Sequence, residues 1–483
     1  MQFITAEDAA GAGDVVVVGS GFGSLFFLKR YLELKPRSRI LILERGRHNT
    51  SEWQQKNLKN SDLPETSTFV NESPKDWAFT IGLGGSTNCW WGQSPRLHPS
   101  DFELRTRHGV GVDWPVTYDD LIPYYKQVER IMPVSGPDDL DSEFPGTGQY
   151  PQRPHRMSSA DERIRSTPGH KHFVVPNARL TSPLNGRGKC CASSTCNICP
   201  TGAKFTAFNG LADVLSHPGV RICTESEVRA LDVEAGTVRK ALFAHGGREH
   251  LASGDLFVLG ANAIFNPLIL MKSGIGGHGV GRYFGEKMFA RVEVLLDGHQ
   301  HFDGGTATTC FNLSRLDGPH RGQMGSAVYY IENNPMIPGL RVAKGRWREV
   351  MQVSVYVEDL LLESNGIFDE GGELPVLRHA GFGSYARRGL QAAVDAMPAM
   401  LKNLPVESIT LKEIFPVLGH LQGTTRMGLT KEDSVVDAGL MHHDHRNLLI
   451  VGTSVFPTMG SVNPTLTASA LSLRAAERML VRR

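Results

Sequence analysis

The sequence contains no uninterrupted apolar run of the roughly 20 residues needed to cross a bilayer. Its most apolar stretch, Val15 to Leu28, is broken by Gly19, Gly21 and Gly23, so no membrane span is expected. Between Met1 and Asp14 there is neither a basic leader nor an apolar segment, which is what a secretory signal requires. A cytoplasmic protein is the expectation, with export alongside a signal-bearing partner as the alternative. An excess of one charge is also missing: 51 Lys and Arg stand against 50 Asp and Glu, a net charge of +1. That balance supplies no field for gripping nucleic acid or an anionic membrane. Cysteine is scarce, with seven in all, and Cys190, Cys191, Cys196 and Cys199 fall close together. A disulfide framework spreads its cysteines along the chain, whereas this clustering describes a local site.

What is present is a large globular chain. Its 483 residues exceed what one ordinary core holds, and a composition of 40% apolar and 21% charged residues is neither disordered nor membrane-embedded. Two large domains are expected. The chain opens as strand, glycine turn, helix, strand. Val15–Val18 is a β-branched run suited to a strand covered on both faces, Phe22 to Leu34 has helical composition and stops before Pro36, and Arg39–Leu43 is the second strand. This is the βαβ start of a doubly wound parallel sheet. Residues 45–115 and 150–190 read as irregular. Strand patterns return at Val220–Val233, Asp255–Leu259 and Met351–Tyr356, and the chain ends in a strand (Asn447–Gly452), a loop (453–463) and a helix beginning at Pro464. No internal repeat is visible. Sheet-forming and loop-rich segments alternate, so both domains are expected to be discontinuous in sequence.

Gly19-Ser20-Gly21-Phe22-Gly23-Ser24 sits between the first strand and the first helix. The first glycine permits the tight turn, the second lets backbone approach a pyrophosphate, and the unpaired N–H groups of the helix start face that anion. Ser24 stands where Gly or Ala is usual and is still small enough for close helix–strand packing. Glu44 ends the second strand, about 20 residues on, the spacing of the dinucleotide fingerprint. A carboxylate there accepts hydrogen bonds from ribose hydroxyls and repels the extra phosphate of NADP. The motif fits NAD and FAD equally, and its plainest alternative is an ordinary glycine turn.

More distant segments carry a resemblance to a known family. Gly84-Gly85-Ser86-Thr87 is followed by Trp114-Pro115, Tyr118-Asp119-Asp120-Leu121, Tyr124-Tyr125 and Glu129. Later come Asn266-Pro267-Leu268-Ile269-Leu270-Met271-Lys272-Ser273-Gly274-Ile275-Gly276, then His420-Leu421-Gln422-Gly423-Thr424 and Arg426-Met427-Gly428. The series ends with Ser434-Val435-Val436-Asp437, Ser454-Val455-Phe456-Pro457-Thr458 and Asn463-Pro464-Thr465-Leu466-Thr467. In this order and spacing the chain resembles the glucose–methanol–choline (GMC) oxidoreductases from end to end, thinly only over about 300–405. It departs from the family pattern at Asn262 and Asn266. Within the family it is most similar to bacterial sugar and polyol dehydrogenases.

That resemblance implies an α/β fold: a Rossmann-like FAD-binding domain and a discontinuous α+β substrate domain with an antiparallel sheet. The implied segments are 1–118, 210–299 and 411–483 for the FAD-binding domain, 119–209 for a cap region with the cysteine loop, and 300–410 for the substrate domain. FAD would contact Gly19, Gly21, Phe22, Gly23, Glu44, the loop Gly84, Gly85, Ser86, Thr87, Asn88 and Cys89, the backbone of Val228, and Gly452, Ser454, Pro464 and Thr465. Some family members bind FAD covalently through a histidine where Cys89 stands here, so a non-covalent cofactor is implied, with a cysteinyl link as the alternative.

The resemblance also assigns His420 as the base that takes the alcohol proton and Asn463 as the amide that orients the same hydroxyl, while flavin N5 accepts the hydride. The chemistry suits the residues, because an unperturbed imidazole has a pKa of about 6.5 and is largely neutral at pH 7. Pro464 suits the first position of a helix whose N-terminus points partial positive charge at the flavin. The plainer readings are a packed histidine and an ordinary N-cap. The spacing Cys191-x4-Cys196-x2-Cys199, or the same with Cys190 in first place, occurs in iron–sulfur proteins. In the similar sugar dehydrogenases three such cysteines hold a three-iron cluster, although the last gap here is one residue shorter. A zinc site and a reduced, packed loop are the alternatives. The expected protein is thus an FAD-dependent alcohol dehydrogenase acting on a sugar, glycoside or polyol, with an electron-accepting protein partner or small subunit. An oxidase using O2, an electron-transfer subunit and an NAD-dependent enzyme are its rivals.

Overall fold

The computed structural model describes residues 1–11, 13–334, 345–415 and 419–481, and its centre is the valine run of the first strand. Val15–Val18 lies between Ile40–Leu43 and Leu256–Leu259, parallel to both, with Val15 opposite Ile40 on one side and Leu256 on the other. The full order of this five-stranded sheet is Leu448–Ile450, Leu256–Leu259, Val15–Val18, Ile40–Leu43, Val220–Cys223. The first four are buried along their whole length, as branched apolar runs are when helices cover both faces. The helices Phe22–Leu34 and Thr465–Val481, from opposite ends of the chain, pack against each other and share one hydrophobic core with the sheet.

A second sheet has six antiparallel strands in the order Val406–Phe415, Met288–Leu296, Val350–Val357, Ala327–Glu332, Thr308–Arg315, His172–Val174. Alternation divides its residues cleanly. Met288, Ala290, Val292 and Val294 join Val353, Val355 and Val357 beneath the helix Ser384–Met400. Phe289, Tyr356, Tyr330 and Phe311 point the other way, into the core shared with the parallel sheet. Period-two geometry is therefore what lets one sheet seal a helix on one side and face the first domain on the other. A sheet of Val70–Glu72, Val376–Arg378 and Gly366–Phe368 completes this side.

Two expectations need correction. The run Val220–Val233 is not one strand: the chain turns at Glu225, which takes φ 55°. Val220–Cys223 then finishes the parallel sheet, and Glu227–Glu234 begins a separate antiparallel sheet with Thr237–His245 and Arg248–Ser253. Hydrophobic periodicity records which face is buried and carries no information about a change of partner. The segment boundaries at 299/300 and 410/411 are also displaced, because Met288–Leu296 and Val406–Phe415 both belong to the six-stranded sheet. Among the described residues no helix is long and apolar enough to cross a membrane.

A buried guanidinium ties the six-stranded sheet to the segment Pro99–Phe102. Arg321, fully enclosed, donates to Asp101 Oδ1 at 2.7 Å, to Glu358 Oε1 at 2.7 Å and to Ser100 Oγ at 2.7 Å. Its own carbonyl accepts from Tyr385 Oη on the Ser384–Met400 helix at 2.7 Å. Both carboxylates are likewise buried, so removing the cation leaves two charges without compensation, a loss on the order of 3–5 kcal/mol. Arg321→Met is expected to lower the thermal midpoint by several degrees or to prevent accumulation of folded protein. A thermal melt of the purified variant, with wild-type behaviour as the adverse result, checks this.

Candidate active site

Three glycines of the first turn meet three different surroundings. A Cβ added at Gly19, where φ is +81°, would lie 2.7 Å from the carbonyl oxygen of Gly260. One added at Gly23 would lie 2.7 Å from the backbone nitrogen of Gly452. At Gly21 it would meet nothing within 4 Å. Gly19 and Gly23 are thus required by packing against neighbouring turns, whereas Gly21 leaves a flank open, as backbone approach by a ligand needs. Ser24 is accommodated because its hydroxyl faces Gly260, where a Cβ would come within 2.0 Å of it. Glu44 is buried at the end of its strand and accepts from Ser20 N at 3.1 Å, Ser20 Oγ at 2.5 Å and Gly46 N at 3.0 Å. Burial pushes its pKa up, and these donors oppose that. Ser20 Oγ accepts in turn from Gly84 N at 2.9 Å, which ties the first glycine turn to the second.

These turns border a cavity of about 1140 Å³. Of the sequence-predicted residues, Gly19, Gly21, Phe22, Gly23, Glu44, Gly85, Ser86, Cys89, Val228, His420, Gly452, Asn463, Pro464 and Thr465 line it. Gly84, Thr87, Asn88 and Ser454 stand one layer behind. Thr87 Oγ1 accepts from Ala207 N at 3.0 Å, Asn88 donates to Leu83 O at 3.0 Å, and Ser454 Oγ accepts from Asn266 Nδ2 at 2.9 Å. They shape the wall from behind. The cavity continues onto residues that sequence reasoning missed: Gln93, Phe289, Glu332, Ser354 and Tyr356. The last four sit on strands of the antiparallel sheet and follow no motif. Their one signal in the sequence was strand alternation, which marks a face without naming its function.

His420 and Asn463 meet at this cavity. Asn463 Nδ2 lies 3.2 Å from His420 Nε2, and Tyr330 Oη donates to Asn463 Oδ1 at 2.8 Å. The imidazole keeps some surface open to the cavity and is otherwise enclosed by protein. Its backbone N–H donates to Glu286 Oε1 at 2.7 Å, and Lys75 Nζ holds the other oxygen of Glu286 at 2.6 Å. Burial lowers the pKa of His420 well below the usual value, and the nearby charge of Lys287 lowers it further. Lys287 is itself buried, without a hydrogen-bond partner for Nζ among the described residues, and desolvation brings it down to about 7. The arrangement keeps a neutral imidazole facing the cavity.

The cysteine loop is arranged differently from the expectation. Cys190 Sγ lies 3.5 Å from Thr306 Oγ1, Cys191 is exposed beside Ser193, Cys196 is buried and accepts from Arg179 Nη1 at 3.0 Å, and Cys199 lies 3.8 Å from Thr201 Oγ1. Among the described residues the one group of three or more His, Cys, Asp and Glu side chains that brings its ligand atoms together is Asp161, His172 and Cys310. Among the described residues no three of the loop's sulfurs lie close enough together to share a single metal ion, so the loop as placed does not present a zinc site.

An open glycine flank beside a helix start, a buried carboxylate at the next strand end and a histidine in one cavity suit an oxidoreductase that binds a dinucleotide cofactor. Comparison with known proteins agrees. The family model described as GMC oxidoreductase matches residues 385–472. The fructose dehydrogenase large subunit of Gluconobacter japonicus is 26% identical over 463 residues, covering 86% of this chain and 84% of that protein. The 6'''-hydroxyparomomycin C oxidase of Streptomyces lividus is 29% identical over 443 residues, covering 84% and 80%. Among solved structures, pyridoxine 4-oxidase from Mesorbium loti superposes with a TM-score of 0.69 at 18% identity, covering 98% of this chain and 100% of that one. The chain thus resembles the GMC oxidoreductases, whose family model matches its C-terminal part, and these likenesses support an FAD-dependent enzyme.

The glycines separate folding from cofactor binding. Gly21→Val is expected to leave the thermal midpoint of the apoprotein within a few degrees of wild type while sharply reducing flavin absorbance per protein. Gly23→Val, forced against the Gly452 backbone, is expected to lower the midpoint itself. Full flavin content in Gly21→Val would contradict this division.

Proposed function

We propose that this enzyme oxidises a hydroxyl group of a sugar, glycoside or polyol, with His420 accepting the hydroxyl proton and Asn463 orienting the same oxygen. The observation that carries this is the 3.2 Å pairing of the Asn463 amide with a neutral His420 Nε2 at the cavity. Gln93, Glu332 and Ser354 offer hydrogen-bonding groups and Phe289 and Tyr356 offer ring faces along the same wall, a mixture suited to a ring carrying several hydroxyls. Relatives named fructose dehydrogenase large subunit, paromamine 6'-oxidase and C-glycoside 3-oxidase support the substrate class.

The chain's own groups divide the work. Backbone N–H groups at Gly21 to Gly23 would face the FAD pyrophosphate, Glu44 the ribose and Val228 the adenine. Gly85, Ser86 and Cys89 would border the ring system, held without a covalent bond, and the helix start at Pro464 and Thr465 would lie against its other side. FAD, when bound, supplies the hydride acceptor. His420 Nε2 presents a lone pair to the hydroxyl proton. The alcohol oxygen then replaces the imidazole as an acceptor for Asn463 Nδ2, which holds the C–H bond in line during transfer. Enclosure keeps the imidazole neutral without a carboxylate partner.

His420→Ala is expected to slow anaerobic flavin reduction by roughly 10²-fold or more, with FAD content unchanged. Because the pKa of His420 lies below its ordinary 6.5, the wild-type rate constant should stay level as pH falls through that value. It should decline only at lower pH, as the imidazole gains a proton. Stopped-flow reduction over a pH series with a sugar and polyol panel tests both points. A wild-type rate in His420→Ala removes the assignment of the base.

For the electron acceptor we take a dehydrogenase with a protein partner as the first reading, supported by the relative named as a large subunit. An oxidase returning electrons to O2 is the second, supported by the relatives named as oxidases. We derive no electron route through the cysteine loop. The dehydrogenase reading expects substrate-reduced enzyme to reoxidise slowly in air and quickly with a one-electron acceptor. Stoichiometric H2O2 at full turnover would establish the oxidase instead.

A further inference from the structure

An asparagine amide is nearly symmetric in shape, so a site that needs its NH2 in one direction must supply partners that dictate the direction. Behind Asn463 a chain of side chains does so. Glu332 is buried, and its Oε2 accepts from Thr308 Oγ1 at 2.8 Å. The two residues are cross-strand partners in the antiparallel sheet, so the register itself brings them together. A carboxylate can only accept, so the single hydroxyl proton of Thr308 is committed to Glu332. Thr308 must therefore accept from Gln93, whose Nε2 lies 2.9 Å from it. Gln93 then turns Oε1 toward Asn463 and accepts from Nδ2 at 3.4 Å. Tyr330 Oη fixes the opposite end by donating to Oδ1 at 2.8 Å. What remains is the second N–H of Asn463, directed at His420 Nε2 at 3.2 Å.

We propose that Glu332, Thr308 and Gln93 form a directional hydrogen-bond relay that orients the Asn463 amide and thereby keeps the bare lone pair of His420 on Nε2, facing the cavity. The inference rests on the roles given above to His420 and Asn463. Its direction follows from the acceptor-only end. With the chain reversed, the amide oxygen would face Nε2, which would then have to carry a proton and could not act as a base. Thr308 is fully buried behind the cavity wall and Gln93 and Glu332 are nearly so, so each link constrains the next. Burial raises the pKa of Glu332, and the Thr308 and Ser354 hydroxyls with the charges of Arg179 and Arg291 oppose that rise by favouring the carboxylate. Thr308, which acts only through its neighbours, is a positioning residue, as is Gln93 toward Asn463.

Thr308→Val tests the relay, because valine matches the shape of threonine, can neither donate nor accept, and replaces a residue outside the cavity lining. With rates referred to FAD-bound protein, the limiting rate of flavin reduction is expected to fall about 10-fold, the scale of one buried hydrogen bond. The apparent substrate dissociation constant should stay within about twofold. Thr308→Ser, which restores the hydroxyl and loses only a methyl, should recover the rate. A wild-type rate in Thr308→Val overturns the relay, as does a slow rate shared equally by Thr308→Ser, which would indicate packing alone. A slow His420→Ala beside a fast Thr308→Val removes the relay and spares the proposed function. A fast His420→Ala removes both.

Discussion

The backbone contact between the first glycine turn and the last strand is the constraint on which the site depends. Gly23 can approach Gly452 only because Gly23 carries no side chain, and Gly19 meets Gly260 under the same condition. These contacts draw turns following three neighbouring parallel strands to one edge of the sheet. The ends of the chain are brought together at that edge, because the helices Phe22–Leu34 and Thr465–Val481 lie against each other. Asn463 stands two residues before the second of those helices, and Gln422 pairs backbone to backbone with Gly285, just before the strand Met288–Leu296. The proposed base and amide, 43 residues apart in sequence, therefore inherit their proximity from glycine packing in the cofactor domain.

Electrostatics then acts on that scaffold through charges the cavity does not itself present. Glu286 is neutralised by Lys75 and uses its second oxygen to hold the backbone of His420. It thus fixes the residue without supplying a hydrogen bond to the ring. His420 Nδ1 is buried without a partner among the described residues, so no carboxylate raises the basicity of the imidazole in the manner of a Ser–His–Asp triad. Desolvation and the charge of Lys287 both favour the neutral ring. The consequence is a weak base that is ready at all but acidic pH, a suitable compromise where proton removal accompanies C–H cleavage.

Much of the cofactor side was legible in the sequence because its requirements are local. A valine run, a glycine turn, a helical stretch and a terminal carboxylate must follow one another within about 30 residues, and the strand Val15–Val18 and helix Phe22–Leu34 appear where the pattern placed them. The C-terminal blocks were readable through their resemblance to the GMC pattern, not through local physics. The opposite wall was not legible. Glu332 and Ser354 acquire their positions from strand pairing between segments far apart in sequence, and Gln93 reaches Thr308 across 215 residues. No local pattern encodes such a meeting. At the cysteine loop the spacing suggests convergence, and in the fold Cys196 accepts from Arg179 while Cys190 and Cys199 lie beside the hydroxyls of Thr306 and Thr201.

This division has a consequence for how specificity can vary within the fold. The antiparallel sheet is buried on both faces, so a substitution on its cavity face leaves the alternate residues under the Ser384–Met400 helix untouched. Phe289 and Tyr356 can therefore be exchanged against the shape of a substrate at little cost to the opposite core. Glu332 is less free, because the same carboxylate that lines the cavity also terminates the hydrogen-bond chain through Thr308 and Gln93. A change there that improved the fit of one sugar would also release the orientation of Asn463, so recognition and catalysis are coupled at that position. Ser354, beside it on the wall, hydrogen-bonds the same carboxylate without belonging to the chain. Variation in substrate preference is thus tolerated best at Phe289 and Tyr356, where the cavity can be reshaped while the direction of the relay is kept.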